Sequence, residues 1–106
     1  MESDRFKINR VDLNNIIMGI NQETDTLYQY NTNEGKTIIL IAERFYFRIE
    51  SNLAATIIID PIDKNRYQID IIVAGGKHGL LGVTYGAEGS MLRRIKNVFL
   101  QNTEIF

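Results

Sequence analysis

The sequence predicts one α+β domain over residues 1–106: a two-layer sandwich in which an antiparallel sheet of about five strands carries two helices on one face. Three observations carry this. Two stretches repeat apolar residues at helical spacing, several others follow a strand period, and turn-forming residues stand close between the strands. In the return strand of the best-marked hairpin, Tyr67, Ile69, Ile71 and Val73 share one parity, and Arg66, Gln68 and Asp70 the other. One sheet face is then core and the other at least partly wet, which an antiparallel sheet allows and a parallel one does not.

Taken in order, Arg5-Phe6-Lys7-Ile8 alternates as a short strand does, and Asn9 offers an N-cap for the first helix. Leu13, Ile16, Ile17 and Ile20 recur at i, i+3, i+4 and i+7, so 11–22 is an amphipathic helix with Asp12, Asn14, Asn15 and Asn21 turned to water. Residues 26–32, rich in Tyr and Thr, join 37–42 through Asn33-Glu34-Gly35 as a hairpin. A further strand segment, 44–50, puts Phe45, Phe47 and Ile49 on the apolar parity and Arg44, Tyr46, Arg48 and Glu50 on the other. Upstream the apolar residues occupy both parities, which predicts a bulge near Glu43.

Ser51-Asn52 breaks that run; 53–60 and 66–74 form the next hairpin around 61–65. Residues 80–85 offer a last short strand, and Ser90 caps a second helix whose Met91, Leu92, Ile95, Val98 and Phe99 form its apolar stripe. Arg93, Arg94 and Lys96 line the other side.

Composition excludes several chemistries. Twelve Lys plus Arg against 13 Asp plus Glu leave a net charge of −1, so no broad positive field draws nucleic acid or an anionic membrane. With no cysteine and one histidine, disulfides, thiolate zinc sites and imidazole-rich metal sites are out of reach; a carboxylate site for a hard cation stays open, and neither a metal nor a cofactor is assigned. The N-terminal residues lack a signal-peptide layout and the longest apolar run, 38–42, is far too short to span a bilayer. The expectation is a cytoplasmic protein.

Six of the eight glycines fall within 75–89. Gly75, Gly76, Lys77, His78 and Gly79 could cradle an anion through backbone N–H groups, but the spacing is neither a phosphate-binding loop nor a dinucleotide fingerprint. A glycine-rich turn explains it more simply. His78 is the first candidate for a general base by intrinsic pKa, yet no nucleophile or elbow motif accompanies it, so no catalytic residue is assigned. Asp60 with Asp63, and Glu23 with Asp25, read as turn and helix-end acids rather than paired catalysts. Arg44, Tyr46 and Arg48, with Arg66 and Gln68 alongside, would form an arginine–aromatic outer face of the kind that stacks bases. Glu50 and Asp70 share that parity and disfavour nucleic acid there.

The element order resembles TATA-binding-protein-like and helix-grip folds. Glu43-Arg44-Phe45 opening one strand, the hairpin 53–74, Gly75-Gly76 after it and Gly86-Ala87-Glu88 entering the last helix are similar to a family of small bacterial proteins known only as a domain of unknown function. That likeness implies no catalytic residue. The helix-grip resemblance implies a small apolar ligand between sheet and helices, with Tyr28, Tyr30, Tyr67 and Tyr85 as its polar contacts. Weighed above it stands a non-enzymatic binding or assembly domain. Ile38, Leu40, Ile58 and Ile72 sit at parities opposite to Ile39, Ile41, Ile57 and Ile71, so both sheet faces carry aliphatics while two helices cover one. The uncovered apolar face, or a sheet edge, predicts a homodimer or larger homo-oligomer, or a protein partner.

Overall fold

The computed structural model describes residues 1–75 and 86–105, and at Arg48 the backbone alone. Five strands, β1 (Glu2–Asn9), β2 (Thr26–Thr32), β3 (Thr37–Tyr46), β4 (Ser51–Pro61) and β5 (Arg66–Ala74), form one sheet, with helices α1 (Leu13–Glu23) and α2 (Ala87–Asn102). The strand order is β1-β5-β4-β3-β2 and every neighbouring pair is antiparallel. The chain leaves one edge at β1, crosses through α1 to the opposite edge at β2, and returns by three hairpins to pair β5 with β1. This is the predicted α+β class. The expected strand at 80–85 lies outside the described residues.

Parity along each strand separates the two faces. Phe6, Ile8, Leu40, Ala42, Leu53, Ala55, Ile57, Ile59, Ile69, Ile71 and Val73 are buried, and they meet Ile16 and Ile20 of α1 and Met91, Ile95, Val98 and Phe99 of α2 in one core. Phe6 and Phe99 touch edge to face, with ring centroids 5.5 Å apart. Four strands and both helices thus contribute buried side chains to the core, and Leu27 of β2 packs against it.

Local details correct three expectations. Asn9 does not cap α1: it is still in β1, paired with Arg66. Asp12 is the cap, its carboxylate accepting the N–H of Asn14 at 3.0 Å. Ser90 does not cap α2, which begins three residues earlier behind Gly86 at φ +77; Ser90 N–H already donates to the Gly86 carbonyl at 2.9 Å. No bulge occurs near Glu43, because the β3–β4 register runs unshifted from Ile38 opposite Ile59 to Tyr46 opposite Ser51. The strand instead stops at Tyr46 and turns through Phe47–Ile49, with Glu50 in the left-handed region at φ +50. Aliphatics on both parities of 38–41 are thus a sign of two apolar faces, not of a kink.

The two helices approach closely where α1 carries no side chain. A Cβ at Gly19 would lie 2.6 Å from Val98 Cγ1, inside any tolerable contact. Glu23, at the end of α1, then ties the layers: its carboxylate meets Arg94 of α2 at 2.8 Å, and its carbonyl accepts from the Arg44 guanidinium of β3 at 2.5 Å. Arg44 so satisfies one of the orphan carbonyls at the helix C-terminus.

Gly19→Ala is expected to lower stability by about 1–3 kcal/mol through overpacking, although alanine is intrinsically the better helix former. Combining it with Val98→Ala should restore part of that loss. Urea denaturation of the two single variants and the double variant measures the coupling; simple additivity would disprove the steric account.

Candidate functional site

Among the described residues, the face of the sheet away from the helices, together with the β2 edge, is the surface left open. Register places its residues in rows. One row runs Ser3, Ile72, Thr56, Ile41, Tyr28, and the next Arg5, Asp70, Ile58, Ile39, Tyr30. Ile39, Ile58 and Ile72 are half-buried. Ile41 is 44% exposed, and Tyr28 and Tyr30 are 74% and 67% exposed. Beyond Glu43, Phe45 (42%) and Phe47 (86%) stack edge to face at 5.2 Å.

The two margins differ in charge. On the β1 side Arg5 donates to Asp70 at 2.6 Å, and Asp70 holds the guanidinium above its ordinary pKa, by that hydrogen bond first and by charge second. Asp4 is paired with Lys96 at 2.7 Å, so half of β1, counting Glu2 and Lys7, is charged. The β2 strand, TLYQYNT, contains no charge and no proline. Its register to β3 is regular throughout.

This arrangement corrects the predicted arginine–aromatic face. Tyr46 is buried, and Arg44 stands on the same, helix-covered side with its guanidinium 5.6 Å from the Tyr46 ring centroid. The parity is the reverse of that expected, since Leu40 and Ala42 take the inner positions and Arg44 and Tyr46 continue them. The Arg48 side chain lies outside the described residues. Of the residues offered for that face, Arg66 and Gln68 do stand on the outer side, in register with Asn9 and Lys7.

The tyrosine quartet is not brought together either. Tyr28 and Tyr30 project from the outer face, whereas Tyr67 stands on the inner face beside Ile8 and Pro61. Tyr85 lies outside the described residues. Between sheet and helices Ile8, Ile16, Ile20, Ile57, Met91 and Phe99 are fully buried in one apolar cluster. At the turn end an open cleft of about 550 Å³ is lined by Arg10, Leu13, Lys36, Ile38, Lys64 and Tyr67, among others. Arg10 is committed there, lying 4.8 Å from the Tyr67 ring centroid and donating to its hydroxyl at 3.3 Å.

Of the proposed anion loop, Gly75 ends β5 at φ +94; Gly76, Lys77, His78 and Gly79 lie outside the described residues. The acid pairs are separated by their own partners. Asp60 accepts from the Thr37 hydroxyl at 2.5 Å, and Asp25 from Phe45 N–H at 2.8 Å. Asp63 closes the β4–β5 turn by accepting Asn65 N–H at 2.8 Å and the Arg66 guanidinium at 3.0 Å. Among the described residues no three acidic or histidine side chains gather as metal ligands, and no helix is long and apolar enough to cross a membrane.

No protein-family model, no curated protein and no solved structure matches the chain. Function is therefore to be sought in the fold and in these surfaces. Sequence reading passes over Phe45 and Phe47 as outward groups, and over the neutrality of 26–32; the second is visible as a seven-residue stretch without Asp, Glu, Lys or Arg.

Asp63 has its pKa lowered, chiefly by Asn65 N–H and then by Arg66. A depressed folded-state pKa contributes stability above the ordinary aspartate value and loses it as the pH falls through the depressed one. In Arg66→Gln the Asp63 midpoint, followed by carboxyl NMR, should rise only part of the way, because the backbone bond remains. A return to the ordinary value would make Arg66 the main cause.

Proposed function

We propose that this chain is a non-catalytic assembly domain that binds a second copy of itself through the sheet surface its helices leave open, with Tyr28 and Tyr30 at the contact. The observation that supports this is the size and make-up of that surface. At about 200 Å² per ring, the exposed parts of Tyr28 and Tyr30 amount to roughly 280 Å², and Ile41 lies beside them, while Phe45 and Phe47 form a second aromatic group beyond Glu43. With Ile41 the tyrosine group reaches the range for the largest apolar patch of an ordinary monomer, roughly 300–600 Å².

Its composition also suits protein more than solvent or polyanion. Tyrosine supplies a large apolar body with a polar tip and is enriched in interface cores, where charge is depleted. The rows from Ile72 to Tyr28 and from Ile58 to Tyr30 contain no Lys or Arg, so nothing there neutralises phosphate.

Sedimentation equilibrium at low micromolar concentration should find a dimer. Tyr28→Ala combined with Tyr30→Ala should weaken it by about tenfold or more with unchanged circular dichroism, since both side chains are exposed. A wild-type chain that stays monomeric to hundreds of micromolar would overturn the proposal.

A further inference from the structure

We infer that the contact is made by β2 pairing antiparallel with β2 of a second copy about a two-fold axis at Gln29, joining two five-stranded sheets into one. The inference rests on the self-association reading and narrows its surface to the β2 edge with the flanking Tyr28 and Tyr30, leaving Ile58 and Ile72 outside the contact. Three observations carry it, beginning with the edge itself. A sheet edge presents a row of free N–H and C=O groups, and proteins that stay single block it with charge, proline or a bulge. Half the residues of β1 are charged, while β2 has no charged residue, no proline and an unshifted register.

The second observation is the sequence of the strand. Thr26-Leu27-Tyr28-Gln29-Tyr30-Asn31-Thr32 reads nearly the same in both directions about Gln29. An antiparallel two-fold at that residue uses the whole strand: Gln29 meets Gln29, Tyr28 meets the second copy's Tyr30, and Thr26 meets its Thr32. Aromatic pairs and threonine pairs are among the cross-strand combinations that stabilise a sheet. Leu27 opposite Asn31 is the one departure from the pattern. A foreign strand would have no reason to share this symmetry; a second copy has it by construction.

The third observation is access. Gln29 and Asn31, on the inner side of β2, are exposed, as are Tyr28 and Tyr30 on the outer side, so neither helix screens the edge. Pairing would extend the outer rows across the axis, setting Ile41-Tyr28 against the other copy's Tyr30-Ile39. Both tyrosines then lie within side-chain reach of an aromatic partner.

The absence of cysteine makes the test clean. In Gln29→Cys the two sulfurs would be self-opposed, on Cα atoms about 4.5–5.5 Å apart, inside disulfide range. Mild oxidation with diamide should convert this variant to a covalent dimer, while Thr32→Cys, far from its own mate, stays uncross-linked. Gln29→Lys should raise the dimer dissociation constant about fivefold by opposing like charges, and mixing it with Gln29→Glu should reverse the effect. If the wild type is a dimer but Gln29→Cys cross-links no better than Thr32→Cys and Gln29→Lys is silent, the edge inference fails and self-association stands. Ile58→Lys breaking that dimer would place the contact on the face. A monomeric wild type would remove both the inference and the reading beneath it.

Discussion

The organisation of this protein follows from how much sheet two helices can cover. Two helices side by side, each about 10 Å across with side chains, span about the width of five strands at roughly 4.8 Å spacing. With α1 and α2 both laid on one side, the helical layer is complete and the other side of the sheet has nothing from the described chain to cover it. Any aliphatic placed there is left to water or to another molecule. The sequence nevertheless places Ile39, Ile41, Ile58 and Ile72 on that side, where Thr or Lys would serve an isolated domain equally well as strand formers or better as solvated ones.

The covered side has little slack. Gly19 lets α1 come onto Val98 of α2, and Glu23 joins both helices and β3 through Arg94 and Arg44. These are short-range devices at one end of α1, and they fix how the helices sit beside each other over the core. A pocket between the layers would need voids among side chains that are fully buried and in mutual contact, and each such void costs stability.

How much of this is legible in the sequence depends on the kind of signal. Helical spacing in 13–20, the turn at 33–35 and the alternation in 66–74 each have one physical reading, and the structure has these elements at those places. Parity in 38–50 is ambiguous, because a strand with apolar groups on both faces does not say which face is inner. The apolar character of Phe45 and Phe47 argues for Arg44 and Tyr46 outside, yet it is the two phenylalanines that face out. The cap assignments fail for a different reason. Asn9, Asp12, Gly86 and Ser90 are all competent near a helix start, and the choice falls to where the preceding strand or turn releases the chain, which is tertiary information.

The asymmetry of the two sheet edges bears on what kind of assembly such a surface permits. A sheet open at both edges propagates, since each addition exposes a fresh edge, and the product is a fibre. Here β1 carries Glu2, Asp4, Arg5 and Lys7, with Arg5 and Asp4 further engaged by Asp70 and Lys96. An incoming strand would have to meet that row of charge. The neutral β2 edge has no such guard, and its near-symmetry about Gln29 favours a partner that presents the same strand in the opposite direction. An isologous contact of the kind proposed would consume the open edge of both copies at once and leave two charged β1 edges outside, so the geometry that would admit a first partner would also refuse a third.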